Sequence, residues 1–581
     1  MMVPEKHPFT NGELADIFNR IASLLEIKGE VVYKTLAYRK VAGSLRELPE
    51  DINVVHQEGR LKEIPGVGKA ISEKIDELLT SGRLGFLEKV EAEVPPTLVA
   101  LLEVPDLGPK KIALFWKEAG ITNLAQLQEA ARAGRLRTLP GMGEKSEARL
   151  LAGIEALSRR STRMLLGAAW PVARRWLETL RGVAGVERIE AAGSLRRWRV
   201  TIGDIDLVAA TNNAAAVMEA FIRSPEVARV LGQGENKSSI ETHNGLKLQL
   251  WTQPPERFGS LLQFVSGSKD HNVRLRELAQ KQGLSLSERG LVDEAGKERY
   301  CATEEELYAA LGLAYIPPEL REDRGEIQAA RAGKLPELVA ASDIRAELHS
   351  HSTWSDGAVT IREMALAARQ RGLSTLAITD HTHSLGIASG MHPEDVLRQR
   401  AEIDDVQREL GNSIRILQGA EVEIRADGSL DYPDELLASL DIVIASLHIS
   451  LRQPRQVVTD RVVSAIRNPH VDIIAHPSGR LLPNRAGADL DYDAVLSAAK
   501  EHDTALEINA SPSRLDLDEI YVRRAAEMGI PLAINTDAHA PDQLDLMEYG
   551  VSVARRAWVG AEKIINTWSA EKIAGWLQER H

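Results

Sequence analysis

Apolar and polar side chains alternate in two segments near the two ends of the C-terminal half of the chain. In residues 344–351 the alternation predicts a strand with one buried face, on which Ile344, Ala346 and Leu348 point the same way. Residues 532–539 repeat the pattern, and five short apolar runs lie between, most of them followed by a helical pattern. Alternating strands and helices predict a parallel barrel of about seven strands, with its active site at the carboxyl ends of the strands.

Histidines and carboxylates lie at or just past the ends of these apolar runs. A lone histidine is usually a surface or core residue, but an i,i+2 pair on a strand directs two imidazoles into one site. Imidazole and carboxylate ligands suit zinc, manganese or iron, and such ions activate water and bind phosphoryl oxygens. The sequence therefore predicts a cluster of several metal ions that hydrolyses a phosphate ester. Its candidate ligands are His349, His351, Asp356, His381, Glu421, His448, His476, Asp537 and His539.

Three short segments of the N-terminal half share a proline, an apolar residue and a glycine before a helical pattern. A glycine turn before a helix leaves backbone N–H groups free to face a phosphate, and the helix dipole assists. Three copies predict helix-hairpin-helix binding to the DNA backbone, independent of base sequence. Asp106 replaces a glycine in the second copy, so a purely structural role is the alternative there. The candidate DNA-binding residues are Gly66, Gly68, Gly108, Gly141 and Gly143.

A Gly-Ser turn at Gly193 precedes a Gly-Asp-x-Asp motif at residues 203–206. Asp204 and Asp206 are two residues apart on a predicted strand, so their carboxylates share a face and can bind divalent ions for phosphoryl transfer. Arg197 follows the turn and is suited to hold a triphosphate. Asp-x-Asp alone is common, but the combination with the Gly-Ser turn is the signature of the nucleotidyltransferase superfamily.

The length of 581 residues predicts several domains. The net charge of −13 falls on residues 321–581, because residues 1–320 carry equal numbers of basic and acidic side chains. The N-terminal part can therefore still present basic patches to DNA. Cys301 is the single cysteine, which excludes an internal disulfide and favours a reducing compartment. We find no signal-peptide pattern and no apolar run of about 20 residues, and so expect a cytoplasmic, nucleoid-associated protein without a membrane partner.

The C-terminal half resembles the polymerase-and-histidinol-phosphatase (PHP) family of metal-dependent phosphoesterases. The resemblance is carried by the motifs at residues 349–357, 378–381, 446–448, 475–477 and 535–539. It implies a distorted seven-stranded (β/α) barrel with a trinuclear metal centre, and all nine candidate ligands match the family's ligand set. Glu347 stands where many members carry aspartate, and we expect it to support the ligands from behind.

The whole chain is similar to the bacterial family X DNA polymerases that carry a C-terminal PHP domain. Residues 264–268 and 270–272 add to the resemblance. It implies gap-filling DNA synthesis in base excision repair and a metal-dependent 3′–5′ exonuclease in the PHP domain. It also implies catalytic metal binding by Asp204 and Asp206. The remaining implied roles are triphosphate contact by Ser194, Arg197 and Gly203, sugar contact by Gly267, and contact with the nascent pair and template by Asn272 and Arg276.

Gln249 departs from the family at the third catalytic carboxylate. Alternation in residues 246–255 places Lys247, Gln249 and Trp251 on one face of a strand. Glutamine supplies no negative charge and no proton acceptor for a primer 3′-hydroxyl, and the loss of one ligand charge costs several kcal/mol, on the order of thousands-fold in rate. We therefore expect weak, manganese-favouring or absent polymerisation. Glu241, across a predicted turn, is the candidate substitute.

Lys74 matches a lysine that some relatives use as a Schiff-base nucleophile to remove deoxyribose phosphate. The accompanying phosphate-binding lysine of those relatives is replaced by Ala70. An exposed lysine on a helix is commonly only solvated. Lys74 is therefore a candidate lyase residue, and the alternative is a surface lysine without a catalytic role.

The predicted fold class is multidomain: helical helix-hairpin-helix domains, an α+β nucleotidyltransferase palm and thumb, and an α/β distorted seven-stranded barrel. Pairs of prolines at residues 95–96 and 317–318 mark boundaries. The predicted domains are a helical DNA-end-binding, lyase-like domain (1–95), a helical subdomain with further hairpins (96–158), the palm (159–255), the thumb (256–318), a linker (319–343) and the PHP barrel (344–581).

Three functions compete for this architecture. The first is a family X repair polymerase with an attached exonuclease, and the second is a DNA-end-processing nuclease whose polymerase half is largely inactive. The third, a small-molecule phosphatase, leaves the hairpins unexplained. The expected cofactors are manganese or magnesium at the polymerase site and up to three zinc, manganese or iron ions in the PHP site. The expected partners are gapped, nicked or 3′-end DNA and dNTPs, bound by a monomer.

Overall fold

The computed structural model describes residues 9, 11–46, 48, 52–104, 107–159, 163–384, 388–483 and 485–580. The chain forms two compact units, Met1–Ser161 and Thr162–His581. Among the described helices, each is too short or too polar to cross a lipid bilayer.

The described part of the N-terminal unit is helical throughout. One apolar core runs through it from Leu14 on the first helix to Ile154 on the last, so both predicted hairpin regions share a single core. Its helices are α1 (Asn11–Lys28), α2 (Val32–Arg46), α3 (Ile52–Gln57), α4 (Lys69–Ser81), α5 (Gly85–Glu93), α6 (Pro109–Ala119), α7 (Leu124–Arg132) and α8 (Glu144–Arg159), with 3₁₀ helices at Leu61–Glu63, Pro96–Glu103 and Leu136–Thr138.

The palm begins the second unit with a five-stranded sheet. The strand order is β2-β4-β7-β6-β5, in which β4 and β7 run parallel and the other neighbours antiparallel. Buried and half-buried residues alternate along β7, which confirms the predicted shared face of Lys247, Gln249 and Trp251. The elements are β1 (Met164–Leu165), α9 (Leu166–Arg181), β2 (Val186–Ala192), α10 (Gly193–Arg196), β3 (Thr201–Ile202), β4 (Ile205–Thr211), α11 (Ala214–Ile222), β5 (Val227–Gln233), β6 (Lys237–Thr242) and β7 (Lys247–Gln253). The helix α12 (Phe258–Ser266) follows the predicted end of the palm at residue 255 and packs on this sheet through Phe258, Leu261 and Leu262.

The thumb follows with a small antiparallel sheet and three helices. Its core includes Leu320, Ile327 and Ala330, which lie in the stretch predicted to be a linker. The predicted linker was therefore wrong for the first part of 319–343, because these apolar side chains pack into the core of the thumb. The elements are α13 (Lys269–Lys281), β8 (Leu284–Ser287), β9 (Gly290–Asp293), β10 (Glu298–Arg299), α14 (Glu304–Ala310) and α15 (Glu326–Arg331).

Seven parallel strands form the predicted barrel in sequence order. A bridge between Ser350 and Ala538 brings the first and last strands together, so the barrel is nearly closed. The strands are β11 (Ala346–Ser350), β12 (Thr375–Ile378), β13 (Arg415–Glu423), β14 (Ile442–Ser446), β15 (Ile473–Ile474), β16 (Ala505–Asn509) and β17 (Leu532–Asn535). The helices are α16 (Ile361–Gln370), α17 (Asp395–Leu410), α18 (Asp434–Leu437), α19 (Arg455–Arg467), α20 (Tyr492–Glu501), α21 (Glu519–Met528), α22 (Met547–Arg556) and α23 (Ala570–Arg580).

Small and branched side chains fill the barrel toward the amino ends of its strands. Ala346 and Leu348 lie in this cluster, together with Trp576 and Leu577 from α23. Ile344 precedes the strand and packs in a different apolar cluster. The strand begins only at Ala346, and its pairing with β12 is irregular between Glu347 and Ser350, which ends the strict alternation. The carboxyl ends of the strands are left for polar groups.

The palm and the barrel share one apolar core within the second unit. Trp198 of the palm packs edge-on against Tyr549 of α22, with ring centroids 5.7 Å apart. Beside this contact, Arg174 of α9 donates hydrogen bonds to Glu548. A charged contact also reaches the Gly-Ser turn, because Arg556 donates to the carbonyl of Arg197 at 2.6 Å.

Buried charges stabilise the junction of palm and thumb. Arg321, which is fully buried, donates to Glu304 at 2.6 Å, and Arg196 donates to both oxygens of the same carboxylate. Burial alone would raise the pKa of Glu304, but the two arginines lower it to about 2. The carboxylate therefore stays charged inside the protein.

Removing this charge should destabilise the second unit strongly. We expect Glu304→Gln to cost about 3–5 kcal/mol at pH 7, because it leaves Arg321 buried without its counter-ion. The stabilisation is present above the ordinary pKa of 4.5 and is lost as the pH falls toward the folded value of about 2. Denaturant unfolding at pH 7 and pH 3 measures both effects. Glu305→Gln, on the exposed side of the same helix, is the matched control, and an equal cost for the two variants would contradict the assignment.

Candidate metal centre and polymerase-like site

The barrel brings all nine predicted metal ligands to the carboxyl ends of its strands. Oxygen and nitrogen atoms that could bind one ion lie within 4.8 Å of one another in three overlapping groups. The groups are His351, Asp356, His381 and His539; His349, His351, Glu421 and Asp537; and His381, Glu421 and His448. His476 lies beside these groups, because its Nε2 is 3.0 Å from Oε1 of Glu421.

Several polar atoms in this cluster are buried and form no hydrogen bond with the described part of the chain. They include Nε2 of His349, Nδ1 of His351 and Oε2 of Glu421. Buried polar atoms normally have a partner, and a set of such atoms that converges on one point fits a cation-binding site. The donor set of imidazoles and carboxylates fits up to three divalent ions, with His351, His381 and Glu421 each belonging to two groups.

Carboxylates behind the ligands fix the orientation of the imidazoles. Glu507 bonds to Nδ1 of His349 at 2.7 Å and accepts from the backbone N–H of His476. Glu423 bonds to Nδ1 of His448 at 2.8 Å. Such partners set the ring tautomer and raise ligand basicity. The sequence analysis missed both residues, although a glutamate inside the apolar run of β16 was a signal that could have identified Glu507.

Glu347 and Asp380 also lie behind the ligands. Glu347 accepts from the hydroxyl of Thr536 at 2.6 Å and from the backbone N–H of His349. Asp380 accepts from the hydroxyls of Ser352 and Ser355, in the loop that carries Asp356. Glu347 therefore lies where a supporting group would, while Asp380 was not anticipated.

Asp356 and His539 form the more open edge of the cluster. Burial alone would lower the pKa of His539, but the hydrogen bond to Asp356 and the charge of Asp537 raise it to about 9. Burial opposes ionisation of Asp356, yet His539 and its neighbouring imidazoles lower the pKa of that carboxyl to about 2. The deeper His351 behaves in the opposite way, because burial lowers its pKa to about 3.

The palm places Asp204 and Asp206 together as predicted from their spacing. Gly193 makes room for them, because a Cβ on this glycine would lie 2.2 Å from Oδ2 of Asp206. Gln249 pairs with Asp206 in the sheet, and its Nε2 donates to Oδ2 of Asp204 at 2.5 Å. Burial, and then the charge of Asp204, raises the pKa of Asp206 to about 7.

The predicted nucleotide-binding residues surround this pair only in part. A Cβ on Gly267 would lie 3.4 Å from Nη1 of Arg197 and 3.9 Å from Nδ2 of Asn272, so these three residues are neighbours. Asn272 donates to the carbonyl of Phe264 at 2.8 Å. The remaining predicted residues are Ser194 in α10, Gly203 just before β4, and Arg276 on the exposed side of α13.

Two charged side chains of this region are already paired. Nε of Arg197 lies 3.1 Å from Glu322, which would have to give way to a triphosphate. Glu241 is buried and bonds to Arg229 at 3.0 Å. In the sheet Glu241 pairs with Lys247, two residues before Gln249 on β7, and its suggested role as a substitute for the third carboxylate stays a prediction.

The three hairpin turns have the same backbone hydrogen bond. The N–H groups of Val67, Leu107 and Met142 each donate to the carbonyl three residues earlier, at 3.0 to 3.1 Å. Gly66 and Gly141 have φ values of 88° and 74°, which favour glycine. Gly68, Gly108 and Gly143 each directly precede a helix. Asp106 lies outside the described residues.

Lys74 lies on α4 of the N-terminal unit. Its Nζ donates to the carbonyl of Ala70 at 3.1 Å and stands 4.8 Å from the centre of the Phe86 ring. Phe86 stacks on Tyr38, which belongs to the predicted DNA-end-binding segment. The lyase role of Lys74 stays a prediction.

Family models match most of the chain. The Helix-hairpin-helix domain matches residues 9–84, and the SAM-like Helix-hairpin-helix tandem matches 98–156. The DNA polymerase beta thumb matches 261–322, and the PHP domain matches 347–511.

Two kinds of curated relative are similar to this chain. A protein named DNA polymerase/3′-5′ exonuclease PolX, from Bacillus subtilis (strain 168), is 38% identical over 571 residues, which cover 97% of this chain and 99% of that protein. A probable phosphatase of Thermoanaerobacter sp. (strain X514) is 34% identical over 245 residues, which cover 40% of this chain and 94% of that protein. A probable phosphatase of Acetivibrio thermocellus is 29% identical over 243 residues.

Metal binding at the cluster should release a proton at neutral pH. His539 has a pKa of about 9 without metal, so its proton must leave before Nε2 can bind an ion. We expect manganese affinity to rise as the pH increases from 6 to 9. Calorimetry in two buffers of different ionisation enthalpy measures the released proton. His539→Ala should remove this part of the pH dependence and exposed His502→Ala should not, whereas binding without proton release would contradict the prediction.

Proposed function

The chain belongs to the family X DNA polymerases that carry a C-terminal PHP domain, and we propose that it acts in DNA repair as a gap-filling polymerase and as a 3′–5′ exonuclease. The convergence of nine ligands with supporting carboxylates, in the same unit as the Asp204–Asp206 pair, carries this proposal. The hairpin turns of the N-terminal unit would bind the DNA backbone through N–H groups other than those of Val67, Leu107 and Met142, which already donate within the turns.

We place the exonuclease at the nine-residue cluster of the barrel. Divalent ions bound there would lower the pKa of a water molecule and neutralise the charge on a phosphodiester. The imidazoles and carboxylates would hold those ions, and Glu507 and Glu423 would keep the rings in the ligand orientation. Asp356 and His539, at the more exposed edge, border the side from which a DNA 3′ end would enter. Zinc, manganese and iron all suit this donor set.

The polymerase site supports a weaker activity. Asp204 and Asp206 would hold magnesium or manganese, and Arg197, Gly267 and Asn272 would receive the dNTP. Gln249 contributes a neutral amide, and its N–H already uses one oxygen of Asp204. The site thus has two carboxylates where the family has three. This favours manganese-dependent or slow synthesis, and it supports the alternative of an end-processing nuclease with a largely inactive polymerase half.

Lys74 completes the proposal as a candidate lyase nucleophile. Its position over the Phe86 ring keeps the amine beside an aromatic surface. Borohydride trapping on DNA with an abasic site tests the role. We expect the wild-type chain to form a covalent adduct and Lys74→Ala to form none. The role is rejected if the wild-type chain forms no adduct, or if Lys74→Ala still forms one.

Restoring the third carboxylate should increase synthesis. We expect Gln249→Asp to raise magnesium-supported primer extension by on the order of a hundred-fold or more, because it returns one ligand charge and a proton acceptor. Single-nucleotide incorporation on gapped DNA measures the rate. Gln253→Asp, at the end of the same strand, is the control. Brisk synthesis by the unchanged chain, with no gain from Gln249→Asp, would contradict the argument.

The two activities should separate by mutation. His351→Ala removes a ligand shared by two groups of the cluster, and we expect it to abolish 3′–5′ degradation while leaving primer extension intact. Asp206→Ala should have the reverse effect. Both assays use one gapped substrate, with magnesium and with manganese. Nuclease activity that survives His351→Ala would place the exonuclease elsewhere.

A further inference from the structure

We propose that Arg514 binds the phosphate group of the substrate at the PHP metal centre, and that a contact between Pro512 and Gly167 of the palm sets its position. The inference rests on the proposed exonuclease function, which it deepens by assigning a substrate-binding residue. Arg514 lies in the loop between β16 and α21, which borders the cluster on the side of Asp537.

Arg514 lies close to the cluster, but the cluster does not use all of its hydrogen-bond donors. Its Nε lies 3.6 Å from Oδ2 of Asp537, which is too long for a hydrogen bond. Its Nη1 is buried and has no hydrogen-bond partner among the residues that the structure describes, and 14% of the side chain is exposed. A guanidinium carries five N–H donors in a fixed fork, the geometry that suits a phosphate. Donors therefore remain for an oxygen-rich anion beside the metal ligands.

The charges around Arg514 also favour a bound anion. Asp537 faces Arg514 but belongs to the ligand group with His349, His351 and Glu421, so bound ions would draw on its negative charge. A guanidinium beside several divalent ions would then be repelled unless another anion lay between them. A phosphodiester is such an anion, and it would touch the metal ions and Arg514 together.

The neighbouring arginines have a different task. Arg480 donates to the carbonyls of Arg514 and Leu515, so it holds the loop. Arg485 donates to the carbonyl of Gly479 with both Nε and Nη2. Both guanidinium groups are thus engaged by backbone oxygens. Arg514 differs from them because its guanidinium forms an ion pair with Asp537, a candidate ligand of the cluster.

The palm supports the same loop from the other side. A Cβ on Gly167, near the start of α9, would lie 2.3 Å from Cβ and 2.8 Å from Cγ of Pro512. Proline is rigid and cannot turn away from such a contact. Only glycine lets α9 approach the loop this closely, so Gly167 acts as a positioning residue for Arg514.

Phosphate binding to the manganese-loaded full chain tests the first part of the proposal. We expect Arg514→Ala to weaken the affinity for inorganic phosphate about tenfold or more, and Arg514→Lys to weaken it less, because lysine keeps the charge but not the fork. Arg467→Ala, an exposed residue on α19, should change nothing. The KM for exonuclease substrate should rise in the same order, with metal content unchanged.

The outcomes separate this inference from the exonuclease itself. Phosphate affinity that depends on Arg514 in a chain that degrades no DNA would support the inference and reject the proposed function. An active exonuclease with wild-type phosphate affinity in Arg514→Ala would overturn the inference alone. Loss of metal with unchanged phosphate affinity would also overturn it, because Arg514 would then be only a counter-ion of Asp537.

A compensating pair tests the contact with the palm. Gly167→Ala should displace the Pro512 loop and lower phosphate affinity several-fold, and adding Pro512→Gly should restore it by removing the clashing atoms. Gly575→Ala, where a Cβ meets open space on α23, is the control. Wild-type affinity in Gly167→Ala, or a loss that Pro512→Gly does not restore, would overturn the positioning role. The double variant keeps the test valid if Gly167→Ala folds poorly.

Discussion

The fully buried carboxylate of Glu421 is the group on which the metal-binding end of the barrel depends. Burial alone would raise its pKa, but surrounding imidazoles hold the pKa well below the ordinary value, so the group stays charged. Its oxygens lie 2.8 to 3.4 Å from nitrogens of His349, His381, His448 and His476. A charge so deep is tolerated only when positive groups or ions surround it. The strand ends must therefore hold these rings in place whether or not metal is bound.

That requirement accounts for the composition of the barrel. Two of the rings that face the cluster have a carboxylate behind them, because Glu507 bonds to His349 and Glu423 bonds to His448. Glu347 does the same for the backbone of β11. The excess of acidic residues in 321–581 thus includes candidate metal ligands as well as carboxylates that support candidate ligands. The amino ends of the strands are apolar instead, because apolar side chains and α23 close that end of the barrel.

The palm and the barrel form one packed unit. A shared core, the Trp198–Tyr549 contact and the Gly167–Pro512 approach join them. Arg556 of the barrel also bonds to the carbonyl of Arg197, one of the predicted nucleotide-binding residues. The palm therefore supports the loops of the barrel in addition to holding Asp204, Asp206 and Gln249 together. This packing gives the palm a structural role that does not depend on the rate of synthesis at its own site.

The sequence by itself determined the parts that depend on local pattern. Apolar periodicity gave the seven strands, and residue type at the strand ends gave nine candidate ligands that the fold brings together. Tertiary structure alone decided the contacts between residues that are distant along the chain. It placed Glu507 behind His349, paired Glu241 with Arg229, and packed residues of the supposed linker into the thumb. Periodicity fixes which face a side chain occupies, whereas its partner depends on how separate elements pack, which no local pattern records.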